Sequence, residues 1–168
     1  MPLTDYLLYR VARNWPSPMA ELKSRISAEI GSDEYYHQYA LEQFNRCVRN
    51  GIGIPVADKT VLEIGCGHGG ITCFLAAAGA KSVVGLDLDP KRLAFAREVA
   101  RRMAARIGCE QLHVHFLLAS AVESSLADES FDMVLADNAF EHLYDPEAVL
   151  RESFRMLRPG GHVVVPHF

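Results

Sequence analysis

The chain predicts an α/β fold in which parallel strands alternate with helices. Three observations carry that prediction. An apolar run, Val61-Leu62-Glu63-Ile64, enters the glycine-rich turn Gly65-Cys66-Gly67-His68-Gly69-Gly70. A second run, Val83-Val84-Gly85-Leu86, ends on Asp87, 20 residues past Gly67. From Thr60 onward, strand and helix patterns alternate with short connections, the signature of βαβ units. This layout sets a nucleotide-sized pocket at the carboxyl end of the sheet.

Bulk properties narrow the classes. A chain of 168 residues is long enough for one domain with a real core. Apolar residues make up 49% and charged residues 23%, a soluble globular composition. A net charge of −4 gives no electrostatic reason to expect a nucleic-acid partner. Arg97, Arg101, Arg102 and Arg106 still form a candidate basic patch on one helix. Cys47, Cys66, Cys73 and Cys109 show no metal-binding spacing and read as reduced thiols, so a cytoplasmic setting is expected. The remaining histidines (His37, His113, His115, His162 and His167) are not spaced as ligands, and no metal is expected. No apolar run approaches a membrane span, and the N-terminus lacks the apolar core of a secretory signal.

Two zones divide the chain. Residues 1–54 read as an N-terminal helical cap, with Pro16 and Pro18 breaking a first helix from a second that aligns Leu22, Ile26 and Ile30. A third helix carries Tyr36, Ala40, Phe44 and Cys47 after the Gly31-Ser32-Asp33 stop and cap. Tyr35, Tyr36 and Tyr39 either touch ligand or pack as core. Residues 55–168 read as the core domain. Its first strand spans Thr60 to Ile64, followed by a helix with Ile71, Phe74, Leu75 and Ala78 on one face, stopped by Gly79. Strand two spans Ser82 to Leu86. Asp89-Pro90 caps a second helix with Leu93, Ala96, Ala100, Met103 and Ile107 inward, ending at Gly108. Strand three, Leu112 to Leu118, alternates His113 and His115 with apolar residues, as an edge strand does. Strand four is Phe131 to Ala136. Asp145-Pro146 caps a third helix expected to turn Leu150, Phe154 and Leu157 inward. Arg158-Pro159-Gly160-Gly161 turns the chain into strand five, His162 to Val165.

Gly65, Gly67 and Gly70 satisfy G-x-G-x-x-G, so a nicotinamide oxidoreductase is one available reading. Glycines permit positive φ and close backbone approach, and a carboxylate at Asp87 can accept from both ribose hydroxyls. Glu63 separates the readings. A carboxylate just before the turn repels a pyrophosphate in a partly dry site. It suits a phosphate-free ligand with a cationic amino-acid head, and S-adenosylmethionine is such a ligand. Backbone N–H groups from Gly65 to Gly67 are then expected to face the methionine portion. The alternative is a strand-end acid satisfied by a neighbouring amide.

The segments VLEIGCGHGG, VVGLDLDP, SFDMVLADNAFEHLYDPEAVLRE and RMLRPGG stand in this order over about residues 60 to 165. In them the chain resembles the class I S-adenosylmethionine-dependent methyltransferases of the broad small-molecule type. The resemblance implies a Rossmann-like three-layer sandwich with sheet order 3-2-1-4-5. It implies Glu63, Gly65, Cys66 and Gly67 near the methionine end, Asp87 on the ribose, and Leu88 against the adenine. Asp137 and Asn138 then offer polar groups at the tip of strand four, Asp137 toward the cofactor and Asn138 toward the transfer face. Glu141 and His142 can supply a general base there, or His142 can simply fill a helix start. The adenine edge departs from the family pattern. Where members carry an acid, this chain has Ser120, followed by Ala121, with Glu123 as a substitute. A hydroxyl accepts that bond without charge assistance.

The resemblance also implies a C-terminal antiparallel hairpin that the sequence does not contain. Strand five is then an exposed hydrophobic edge, expected to be covered by further chain or by a second copy in a homodimer. The expected activity is methyl transfer to a small-molecule acceptor, with a cofactor-binding fragment without turnover as the alternative.

Overall fold

A computed structural model describes residues 55–167. The N-terminal helical cap expected over 1–54, with its tyrosines and Cys47, lies outside the described residues. The first strand, β1 (Thr60–Ile64), is where expected, with Val61, Leu62, Glu63 and Ile64 all buried. Burial on both faces explains its near-continuous apolar run, because helices cover both sides of a parallel sheet. Four further strands are β2 (Ser82–Asp87), β3 (Val114–Leu118), β4 (Phe131–Asp137) and β5 (Leu157–His167). They form one parallel sheet in the order β3-β2-β1-β4-β5. This is the Rossmann-like arrangement, with β1 central and the order reversing beside it.

Helix α1 (Gly70–Ala77) follows the glycine turn, and α2 (Pro90–Ile107) follows β2. Asp89 caps α2 by accepting from the N–H groups of Lys91 at 2.8 Å and Arg92 at 3.4 Å, and Pro90 supplies a preset first turn. Helix α3 (Pro146–Met156) is capped in the same way, Asp145 accepting from Ala148 N–H at 2.9 Å. Val61, Ile71, Leu75, Val83, Met133 and Leu135 pack between the sheet and α1. Leu62, Ile64, Val134, Val149 and Met156 pack on the opposite side, with α3. Strand alternation therefore assigns each residue of β1 to one layer or the other.

Three elements differ from their sequence-based limits. Strand β3 begins two residues late, because the Val114 N–H turns back onto the Leu112 carbonyl at 2.8 Å. As an edge strand it buries only Phe116, as its polar alternation predicted. The stripe of α3 is rotated by one residue: Val149, Ser153 and Met156 are buried, while Phe154, expected inward, is 67% exposed. The cause lies at the helix end. Leu157 passes directly into β5, pairing with Phe131, so it buries as a strand residue and sets the phase behind it. The expected turn at 158–161 is accommodated inside β5, where five steps of β5 match two of β4. Gly160 has φ +81°, and a Cβ at Gly161 would meet the Arg158 and Asp132 carbonyls at 2.9 and 3.2 Å. The glycines are thus required, but for an irregularity within a strand.

Arg101 and Arg102 both pair with Glu98 on α2, and Arg97 donates to the Phe116 carbonyl at 3.0 Å. These three arginines of the candidate patch are therefore tied to partners in the fold rather than displayed as a uniform positive face. Cys66 and Cys73 are buried free thiols, and Cys109 is half-buried and free. No helix of the described residues is long and apolar enough to cross a membrane.

Candidate active site

The tips of β1, β2 and β4 converge around the glycine turn. Gly65 and Gly67 take positive φ of 71° and 51°. A Cβ on Gly65 would stand 2.8 Å from the Ala139 Cβ, so this glycine lets the turn lie against the loop beyond β4. A Cβ on Gly67 would meet nothing within 4 Å. That side of the turn is open, which leaves room for a ligand to approach the backbone.

Asp87 ends β2 half-exposed. One carboxyl oxygen accepts from Gly67 N–H and the other from Asp89 N–H, each at 2.8 Å. A carboxylate has about four acceptor sites, so lone pairs remain for a vicinal diol. Leu88, the next residue, is 72% exposed. Ser120 and Ala121 lie half-buried beyond β3, and Ser120 Oγ accepts from Val122 N–H at 3.2 Å. Glu123 is exposed beside them.

Two features of the glycine turn differ from the sequence-based expectation. Its Cys66 N–H donates to the Leu86 carbonyl at 2.9 Å, and its Gly67 N–H to Asp87. These amides brace the turn against β2 instead of facing a ligand. Glu63 is 3% exposed and lies under the turn. It shares the face of Val61, toward α1, and accepts from the Thr72 hydroxyl. Burial pushes its carboxyl from an ordinary 4.5 up to about 8. The Thr72 hydroxyl opposes that rise, and the carboxyl groups of Asp137 and Asp87 add to it. Burial beneath the turn thus favours the neutral carboxyl of Glu63 over its carboxylate.

Asp137 closes β4 at 8% exposure. Asn138 follows at φ +51°, exposed, in a left-handed conformation that asparagine tolerates better than most residues. Glu141 and His142 sit on a single 3-10 turn (Phe140–His142), with His142 Nε2 3.9 Å from Glu141 Oε1. Both are exposed, as is Tyr144. The structure thus brings Glu63, Gly65, Cys66, Gly67, Asp87 and Asp137 into one cluster, with Leu88, Ser120 and Ala121 along one flank. Asn138, Glu141 and His142 occupy the opposite, wetter side.

Sequence reasoning overlooked Thr72 and Gly85. Both carried a signal: Thr72 is a polar residue inside the fully buried turn Ile71-Thr72-Cys73-Phe74-Leu75, and Gly85 interrupts an apolar strand. Among the described residues no group of three or more His, Cys, Asp or Glu is placed to hold a metal ion.

The sheet order, with a glycine turn and an acid at adjacent strand tips, is that of a Rossmann-like α/β domain whose ligand crevice lies at the carboxyl ends of its strands. A family model described as "Methyltransferase domain" matches residues 62–165, and the chain belongs to the class I S-adenosylmethionine-dependent methyltransferases. S-adenosylmethionine is the cofactor of that class. The dinucleotide alternative falls with this membership. The chain is 37% identical over 109 residues to "Methyltransferase GfsG" of Streptomyces halstedii, covering 65% of this chain and 37% of that protein. It is 32% identical over 155 residues to "Ubiquinone biosynthesis O-methyltransferase" of Rhizobium rhizogenes, covering 92% and 58%. Among solved structures it resembles an arsenic (III) S-adenosylmethionine methyltransferase from Chlamydomonas reinhardtii at 27% identity and TM-score 0.60, covering 69% and 40%. The chain thus spans between about two fifths and three fifths of these relatives' lengths.

Proposed function

We propose that this chain binds S-adenosylmethionine and directs its methyl group to a small-molecule acceptor. The convergence of Asp87, Glu63 and the open side of Gly67 at the tips of β1 and β2 carries this reading. In it, Asp87 accepts from the ribose hydroxyls and Leu88 covers one face of the adenine. Ser120 and Ala121 line the adenine edge, where a neutral hydroxyl holds the base less firmly than a carboxylate. Gly65, Cys66 and Gly67 border the methionine portion, with Glu63 and Asp137 beneath it as counter-charge for the ammonium.

When bound, the cofactor supplies an electrophilic methyl on a sulfonium. The chain's own contribution is orientation and exclusion of water, which suffices for much of an in-line displacement. Asn138 is placed to orient the acceptor at the tip of β4. Glu141 and His142 are placed to take a proton from an acceptor that starts protonated. The ubiquinone and arsenic names of the two relatives belong to those proteins. Their diversity supports an acceptor chosen by residues outside this shared core. The reduced thiols fit a cytoplasmic setting.

Calorimetric titration with S-adenosylhomocysteine tests the reading. Binding tighter than about millimolar, with no competition from NADH, is the expected result; absence of binding at that level contradicts it.

A further inference from the structure

Thr72 is a polar side chain at 0% exposure in the middle of an apolar turn. Burying a hydroxyl there is unfavourable unless a good partner is met. Its partner is Glu63, whose Oε2 accepts from the Thr72 hydroxyl. Gly85 stands opposite Glu63 in the register of β1 and β2. A Cβ at Gly85 would lie 2.9 Å from Thr72 Oγ1, and 2.8 and 2.9 Å from Cys66 Sγ and Cβ. A strand residue without a side chain is what lets α1 come close enough for the hydroxyl to reach the carboxyl. Three residues on three elements are thus matched to hold one buried acid beneath the glycine turn.

We propose that Thr72 is a positioning residue that fixes the Glu63 carboxyl beneath the glycine turn, where burial and the neighbouring aspartates keep it uncharged until a ligand ammonium arrives, so that cofactor binding expels one proton. The Glu63 O–H bond breaks, the proton passes to solvent, and the carboxylate left behind pairs with an ammonium that keeps its own protons. This deepens the cofactor reading and rests on it. The groups facing Glu63 are Asp87 from β2, Asp137 from β4, Cys66 from the turn and Cys73 from α1. Burial pushes both thiols up, so they stay neutral. The two aspartates disfavour a third negative charge, and an incoming cation removes that penalty.

The test is calorimetry of the full chain with S-adenosylhomocysteine from about pH 6.5 to 8.5, in buffers of different ionisation heat. Affinity is expected to rise about tenfold per pH unit below the Glu63 midpoint, with about one proton released per ligand. Two controls isolate the cause. 5′-Methylthioadenosine, which lacks the ammonium, shows neither effect, and Glu63→Gln subtracts the ligand's own titration. Thr72→Val moves the rise to higher pH, because the hydroxyl holds the carboxyl's midpoint down; Thr72→Ser leaves it in place. Tight binding that is flat with pH, or equal proton release by Glu63→Gln, overturns the inference while the cofactor reading stands. A Thr72→Val profile coinciding with that of the parent chain overturns the role of Thr72. If that variant does not fold, the Glu63→Gln and 5′-methylthioadenosine arms still decide the proton release. No binding at any pH overturns both.

Discussion

Beneath the glycine turn at the tips of β1 and β2 the candidate site is buried and cross-braced, whereas beyond Asp137 on β4 it is open to solvent. On the first side Glu63, Cys66 and Thr72 are buried. There the turn is tied to β2 through Leu86 and Asp87. On the second side Asn138, Glu141, His142 and Tyr144 are exposed, and the pair Glu141–His142 is separated by 3.9 Å. In the proposed reading the cofactor takes the braced side, where the packing fixes its geometry. The proposed acceptor meets the exposed residues beyond β4, which can change without disturbing a core.

The largest expected effect breaks the braced side directly. Asp87→Ala removes the acceptor of the Gly67 and Asp89 amides together with the proposed ribose contact. Hydrogen bonds to a charged group are each worth about 1.5–3 kcal/mol. A loss of S-adenosylhomocysteine affinity of about 100-fold or more is expected by calorimetry. Retained affinity would remove Asp87 from the site.

Next comes a pair of glycines that should behave unequally. Gly65→Ala places a Cβ against Ala139 at positive φ, and a loss of about 2 kcal/mol in denaturant unfolding is expected. Gly67→Ala has positive φ but open space, so about 1 kcal/mol is expected. Its larger effect should fall on ligand affinity. Equal stability losses would mean that the turn is not packed against the β4 loop as described.

Glu63 sharpens the comparison through pH. Its midpoint is raised from 4.5 to about 8, so the folded chain binds more protons than the unfolded chain between those values. The stability this contributes is full below about 4.5 and is lost as pH rises through about 8. Stability of the parent chain is expected to fall between about pH 4.5 and about 8, by up to about 1.4 kcal/mol per pH unit, and to level off above that. Thermal unfolding of Glu63→Gln, which has nothing to titrate there, should be flatter over the same range. Parallel curves would place Glu63 in solvent.

The smallest effect belongs to the open side. Glu141→Ala and His142→Ala are expected to change stability by less than about 0.5 kcal/mol. Cofactor affinity should be unchanged, while any methyl transfer to a protonated acceptor falls. A large stability loss would show that the 3-10 turn is a packing element.

Local chemistry was legible in the sequence where it acts locally. The limits of β1, the caps Asp89-Pro90 and Asp145-Pro146, and the edge character of β3 all follow from residues in contact along the chain. What was not legible depends on partners distant in sequence. Phe154 is outward because Leu157 must enter the sheet beside Phe131, a pairing that helical periodicity does not contain. Glu63 is covered because Thr72 approaches over Gly85, so a residue expected to greet a ligand lies one layer beneath it. The glycine motif predicted that the Gly65 to Gly67 amides face a ligand. The structure assigns Gly65 to packing and leaves Gly67 on the open side.

The measurement that tests the central claim most directly is a crystal structure of the chain with S-adenosylhomocysteine. The account predicts both ribose hydroxyls on the Asp87 carboxylate, the base beside Leu88 and Ser120, and the amino end over the turn above Glu63. A nucleoside bound elsewhere, or bound with Asp87 turned away from its sugar, would contradict it.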